Sequence, residues 1–354
     1  MNKVLNFWHK IQKIVLTVLL ALALSALLIV VFTDESPVVA ILALLHGSLV
    51  GKLNLGTTLV SFSTIMLCGV AFIVATKAGF FNTGLEGDLA VGALAATIVG
   101  IYGEGIPAPL LIILCILAGI AAGIIWSMIP TILNVYYQVN MICACYMLNM
   151  VAIYLCSFFV LGPLKAPIAN PQSYDVAATL PKIMKPSKLS IAFYFMLIIW
   201  IFAVWAFDHT TFGQKLKTVG ENPHFAKFAG MNPARIGMIA MAISGAVCGF
   251  AGSIEIVGNY GNFQEGFVIG LGGKGLLAAM MVKSTPKLLP VSAFLVAMLS
   301  SGALYMQQVT GVSKFICDTI AGLFIVIFTM ETLFKYDENA AALKLKAKER
   351  KNNV

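Results

Sequence analysis

Charge is scarce in this sequence. Asp, Glu, Lys and Arg make up 11% of the 354 residues, against 60% hydrophobic ones. So few charges cannot solvate a globular surface, which excludes a soluble protein and leaves an all-α polytopic membrane protein. Histidine is scarce too: there are four, none inside an expected span. No HExxH or GxSxG occurs, and Gly273-Lys274 fails as a phosphate loop because Val268 and Gly275 stand where Gly and Ser or Thr are needed. These gaps exclude nucleotide binding and bond cleavage by the chain itself, so no catalytic residue and no cofactor of its own is expected. The seven cysteines, an odd number, all fall in apolar segments, which argues against a disulfide framework. Cys143-Ala144-Cys145 lacks a second ligand pair, so no metal site is expected. The net charge of +8 sits in loops and tails rather than on an aromatic-studded face, which excludes a nucleic-acid partner. No myristoylation or prenylation motif is present.

What the chain does have is apolar length. Blocks able to cross ~30 Å of hydrocarbon lie near 14–32, 58–76, 86–101, 108–133, 141–160, 191–207, 236–256, 270–283, 288–306 and 315–334. The first, followed by Thr33-Asp34-Glu35-Ser36-Pro37, reads as an uncleaved span. Val38–Leu45 is too brief to cross and is expected as an interfacial or partly buried helix. Ten crossings put both termini on one side. Placing them in the cytoplasm leaves 16 of the 23 Lys and Arg inside and seven outside, Lys274 among the latter, as the positive-inside rule prefers. The expected organisation is a transmembrane domain over 1–334, a cytoplasmic loop at 208–235 and a basic tail at 335–354.

Helices two to five and seven to ten form two sets of four separated by a single crossing, so the second set runs inverted. Gly79–Asp88 and Gly258–Gly266 occupy matching places; both are Gly-rich, and both carry Asn, an aromatic and a Glu-Gly pair. Interrupted segments at matching places in inverted halves point to a substrate path; two unrelated turns are the plainer alternative. The candidate path residues are Asn82, Thr83, Glu86, Asn140, Tyr146, Asn149, Glu255, Asn259 and Phe263. For Glu86 the favoured role is to hold a broken helix by accepting from freed backbone N–H groups, the alternative being direct contact with the solute. Asn140 and Asn149 either bond a neutral solute or join helices. Gly119/Gly123 and Gly245/Gly249 are small-xxx-small pairs suited to close packing.

The most polar block, Phe207–Arg235, reads as a short helix bounded by breakers. Gly220 ends one turn, Asn222 caps, Pro223 takes the first helical position, His224–Ala229 form about two turns and Gly230 closes them. It is either a handle for a cytoplasmic partner or an ordinary positive loop.

Phe81-Asn82-Thr83-Gly84-Leu85-Glu86-Gly87, Tyr146-Met147-Leu148-Asn149, Gly162-Pro163-Leu164, Val219-Gly220-Glu221-Asn222-Pro223 and Ser244-Gly245-Ala246 together resemble the membrane permeases of bacterial ABC importers in the ribose/nucleoside branch, above all the long nucleoside-type members. The likeness runs from about Thr57 to Phe334. It departs at Asp88, where Gln is common, and at Asn140-Met141, where Asn-Glu is common. The resemblance implies a type II importer in the bacterial cytoplasmic membrane, pairing with a second permease of the same or a different kind. It implies an extracytoplasmic binding protein or lipoprotein, and ATPase subunits that bind ATP-Mg and grip a coupling helix. The grip falls on Gly220, Glu221, Asn222, Pro223, His224, Ala226, Lys227 and Gly230. Bulky residues at Gly220 or Ala226 are expected to abolish uptake and coupling while leaving insertion intact. The implied cargo is a nucleoside; a simple sugar or riboflavin, or a stand-alone carrier or channel, are the rivals.

Overall fold

The computed structural model describes residues 36–311 together with 319, 322 and 323. The expected spans at 14–32 and 315–334 and the tail at 335–354 lie outside the described residues. These residues form eleven α-helices in chain order: α1 Pro37–Leu49, α2 Lys52–Lys77, α3 Leu85–Tyr102, α4 Ala108–Tyr137, α5 Met141–Leu161, α6 Ala192–His209, α7 Thr211–Glu221, α8 Pro223–Phe228, α9 Pro233–Ile254, α10 Leu271–Met281 and α11 Leu289–Thr310. A π-helical turn, Glu255–Tyr260, extends α9. Among the described residues seven helices are long and apolar enough to cross a membrane: α2, α3, α4, α5, α6, α9 with its π-turn, and α11.

Two compact units divide the chain, one of residues 51–279 with 284–297, the other built on residues up to 50, 280–283 and from 298 onward. In the smaller unit α1 lies against the end of α11, with the His46 and Tyr305 rings 5.7 Å apart. The larger unit is centred on α2, whose Ile65, Met66, Leu67 and Phe72 are wholly buried. Beside it α3, α4 and α9 meet along a glycine seam. A Cβ on Gly249 would lie 2.2 Å from the Gly119 carbonyl oxygen, and one on Gly92 would lie 2.5 Å from the Gly249 Cα. The small-residue pairs read from the sequence are therefore backbone contacts between α4 and α9, and α3 joins them through Gly92. Away from the seam α4 is largely exposed, as are α5 and α6 over most of their spans.

Residues 162–191 are stitched to the far end of α9. Ser173 N donates to Phe263 O at 2.9 Å, Val176 N to Gly261 O at 2.8 Å and Leu180 N to Val257 O at 2.6 Å. The polar block lies at the other end of α9, where Gly237 abuts the Phe80 ring. From Pro233 to Tyr260 is 28 residues, about 42 Å at 1.5 Å per residue. The two polar regions thus cap opposite ends of the unit.

One expected crossing changes character. The block at 270–283 forms α10, only 11 residues long, about 16 Å and half of what hydrocarbon demands. It begins inside the unit, not at an outer surface. Lys274, placed outside by charge counting, sits in its first turn.

Candidate functional site

Glu86, in the first of the two Gly-rich stretches, meets the short helix α10 that follows the second. After α2 a turn at Gly79 leads to Asn82, whose buried side chain ties the break together. Its Oδ1 accepts from Gly84 N at 2.9 Å, while Nδ2 donates to Asp88 Oδ2 and to Ser244 Oγ, each at 3.1 Å. Thr83 Oγ1 donates to Ile142 O at 3.1 Å, fixing the same turn to the start of α5. So anchored, α3 places Glu86 in its first turn. There Oε1 accepts from Gly273 N of α10 at 3.1 Å, and Oε2 accepts from Asn149 Nδ2 at 3.4 Å. A Cβ on Gly272 would fall 2.6 Å from the Glu86 nitrogen, so only glycine permits this approach.

Two helix N-termini therefore converge on one carboxylate. Each carries about half a positive charge, and uncompensated they would repel. Glu86 neutralises both. Asn149 lies nine residues beyond the α5 cap, about 13 Å along that helix, so the junction is deep in the unit. Sequence reasoning expected Glu86 to accept freed N–H groups; the one it accepts belongs to the other broken segment. Asn149 is 4% exposed, and its Oδ1 has no partner. Glu86→Ala should orphan the Gly273 and Asn149 donors at about 1–3 kcal/mol, whereas Glu86→Gln keeps an acceptor and costs less. Thermal unfolding should rank wild type above Gln above Ala; a melting point for Ala equal to wild type would contradict the bridge.

A second polar knot occupies the π-turn. Thr64 Oγ1 donates to Glu255 Oε1, Asn259 Nδ2 donates to Glu255 Oε2 at 2.8 Å, and Ser190 Oγ donates to Asn259 Oδ1 at 3.4 Å. Ser244 and Glu255 are eleven residues apart on α9, so the knots are separated by about 16 Å. Above this second knot Lys188 Nζ stands 4.4 Å from the Tyr260 ring centroid. Burial, and then Lys182, lower its pKa below the usual lysine value, with Glu255 acting the other way.

The nine path candidates thus separate. Asn82, Thr83, Glu86 and Asn149 share the junction; Glu255 and Asn259 share the π-turn. Phe263 is buried, its N–H donating to Ser173 Oγ at 2.9 Å and its ring edge-on to Phe267, so it fastens the 162–191 segment. Asn140 caps α5, accepting from Ile142 N and Cys143 N. Tyr146 stands apart on the exposed face of α5 with Met147, Tyr154 and Phe158. The sequence reading missed Tyr154 and Phe158, although the i, i+4 series Tyr146, Met150, Tyr154, Phe158 was there to be read.

The polar block holds two helices, not one. Thr210 caps α7, and Gly220, expected to end a turn, is helical within it. Glycine stands there because a Cβ would lie 2.3 Å from Lys77 O. Asn222 caps α8 as expected, its Oδ1 accepting from Phe225 N at 2.9 Å, with Pro223 first in the helix. Gly230, at φ +77°, ends it, and the bonds Gly230 N to Lys227 O and Met231 N to Ala226 O form a Schellman closure. Ala226 is wholly buried, whereas Glu221, His224, Phe225, Lys227 and Phe228 face outward. Bulk at Gly220 or Ala226 would therefore disturb the chain's own packing, so neither is a clean probe of a partner. Asn222→Ala should cost about 1 kcal/mol of helix stability, read as roughly fivefold faster hydrogen exchange at the Phe225 amide. Unchanged exchange would remove the cap's role.

Residues 54–329 match the family described as branched-chain amino acid transport system / permease component. The glucose ABC transporter permease protein of Haloferax volcanii is 31% identical over 334 residues, covering 91% of this chain and 87% of that protein. The guanosine ABC transporter permease protein of Bacillus subtilis is 28% identical over 317 residues, covering 88% and 90%. A nucleoside ABC transporter permease protein of Lactococcus lactis is 24% identical over 310 residues, covering 84% and 85%. No solved structure matches the chain. With most of its length matched and its helices long enough to cross a bilayer, the chain belongs to the branched-chain amino acid transport system permease family, as a multi-pass membrane subunit of an ABC transporter and not an enzyme.

Proposed function

We propose that this subunit forms the path of an ATP-driven importer whose cargo is a neutral nucleoside. The observation that carries the choice is Glu86 between two helix N-termini. Where broken helices present their N-termini to a cargo, they favour an anionic group. Here that place is filled by the protein's own carboxylate, which disfavours a free amino acid or another anion. The exposed face of α5 supports the same choice. Tyr146 and Tyr154 are 57% and 72% exposed on a membrane-length helix, and a phenolic hydroxyl left in hydrocarbon lacks a partner. That face therefore lines a wet path shared with a second permease, of the same or a different kind, where each ring stacks a nucleobase for about 1–3 kcal/mol.

The remaining parts follow from the ends of α9. The excess of Lys and Arg near both chain ends and in the Phe207–Arg235 block favours the cytoplasm of a bacterial cell for those segments. The α7–α8 end then faces two ATPase subunits, which bind ATP-Mg and push on α8. The 162–191 end receives the cargo from an extracytoplasmic binding protein. Glu86 and Asn149 shift between outward- and inward-facing arrangements without changing the cargo chemically.

The Haloferax volcanii relative favours a second reading, a neutral sugar on the same machinery. Proteoliposomes holding the assembled transporter should take up labelled guanosine or uridine with ATP, competed by other nucleosides and not by glucose, ribose, galactose, riboflavin or leucine. Competition by glucose alone would install the sugar reading, and competition by leucine would overturn both.

A further inference from the structure

We propose that the cavity between α6 and the body of the larger unit holds one acyl chain of an anionic phospholipid, as a fixed support beneath the α6–α7 elbow. The cavity measures about 630 Å³, and its walls come from five helices through residues such as Val74, Ile120, Ala203, Leu216, Ala246 and Phe250. Thr210 is the one lining residue with a side-chain hydroxyl, and that group is spent: it donates to Ala206 O and accepts from Gly213 N. Such a space offers water nothing to bond. An engineered apolar cavity of about 150 Å³ stays dry and takes benzene. This one is about four times larger, room for an extended hydrocarbon chain.

Its position says what the chain is attached to. Trp200 and Trp205 stand on the other face of α6 from the cavity, beside Asp208 and Lys287, Trp200 donating through Nε1 to Pro286 O at 2.9 Å. Tryptophans of this kind mark the level of lipid headgroups. Just beyond, Lys215 and Lys217 flank the lining residue Leu216, and Lys287 lies across from Asp208. Asp208 is the local carboxylate, and it is shared between Lys287 at 2.8 Å and Lys217 at 3.6 Å. Two further basic residues, Lys227 and Arg235, and one acidic residue, Glu221, follow in the same polar block. The excess of positive charge favours an anionic headgroup above an apolar slot, which distinguishes a phospholipid from a helix of a partner protein. The slot underlies α7, so its occupant supports the segment that carries α8. The inference rests on membrane residence, not on the nucleoside reading, and its failure leaves that reading standing.

The test uses the complete transporter, purified in mild detergent and examined by native mass spectrometry. One phosphatidylglycerol should remain per copy of this chain, outcompeting phosphatidylcholine of the same acyl composition at least fivefold. Ala203→Trp and Ala246→Trp, which fill the slot, should each lower its retention at least tenfold. Should those variants fail to assemble, Phe250→Trp serves as a reporter. Its fluorescence should be quenched by phosphatidylglycerol with brominated chains, saturating at one lipid amid excess phosphatidylcholine. Equal retention in wild type and filled variants, retained free fatty acid in place of phospholipid, quenching that only tracks bulk brominated lipid, or a disulfide from Ala203→Cys to a second permease would each overturn the assignment.

Discussion

Exchanging Phe228 for aspartate should cut ATP-driven uptake by at least ~30-fold, the loss that removing a 2 kcal/mol contact residue brings, while leaving the melting temperature of the isolated subunit unchanged. Phe228 is 93% exposed and Phe225 60% exposed. Two aromatic rings so exposed on a six-residue helix contribute little to packing among the described residues. Their rigidity comes from the ends of α8, where Asn222 caps one terminus and Gly230 closes the other. Below them Ala226 is wholly buried, so the helix is seated on its own subunit before any partner arrives. Adding Phe225→Asp should lose most of the remaining activity. Uptake with both aspartates at the wild-type rate would mean that the exposed rings meet nothing.

Replacing Gly249 with leucine should prevent the subunit from folding. The new Cβ would sit 2.2 Å from the Gly119 carbonyl oxygen and 3.1 Å from the Gly123 Cα. Those neighbours are backbone of α4 and cannot rotate away as a side chain can. Overpacking ordinarily costs about 1–3 kcal/mol, and here relief requires parting α4 from α9 and, through Gly92, α3 from both. Removing the seam would cost a large share of the ~5–15 kcal/mol that holds an ordinary domain together. Leu117→Ala is the control, since Leu117 is 56% exposed on the same α4 and should be nearly neutral. Size-exclusion chromatography of fluorescently tagged subunits should show loss of the folded peak for Gly249→Leu alone. A normal peak would deny that the seam is in backbone contact.

The apolar blocks were readable because hydrocarbon demands a length, and most helices fall within a few residues of the expected bounds. α2 begins six residues earlier than the apolar pattern, because its polar start still suits a helix; Thr57 Oγ1 returns to Leu53 O at 3.0 Å. The caps at Asn222 and Pro223 were readable because capping is local. What the sequence could not display is which distant groups meet. Glu86 was picked out as a helix-holding carboxylate, yet only the fold joins it to Gly273, 187 residues away. The same holds for Asn82 with Ser244 and Glu255 with Thr64. α10 was misread as a crossing because a half-length apolar run looks like a short span until its start is seen inside the unit. Gly220 was misread as a breaker because glycine also serves close approach, here to Lys77, and spacing does not separate the two uses.

The most direct measurement places a photo-crosslinking amino acid at position 228 of the intact transporter in membranes. Illumination should join this subunit to the ATPase, with a yield that changes when ATP is bound and not hydrolysed. No adduct with the ATPase, or labelling of position 228 by an impermeant reagent from outside the cell, would contradict the account.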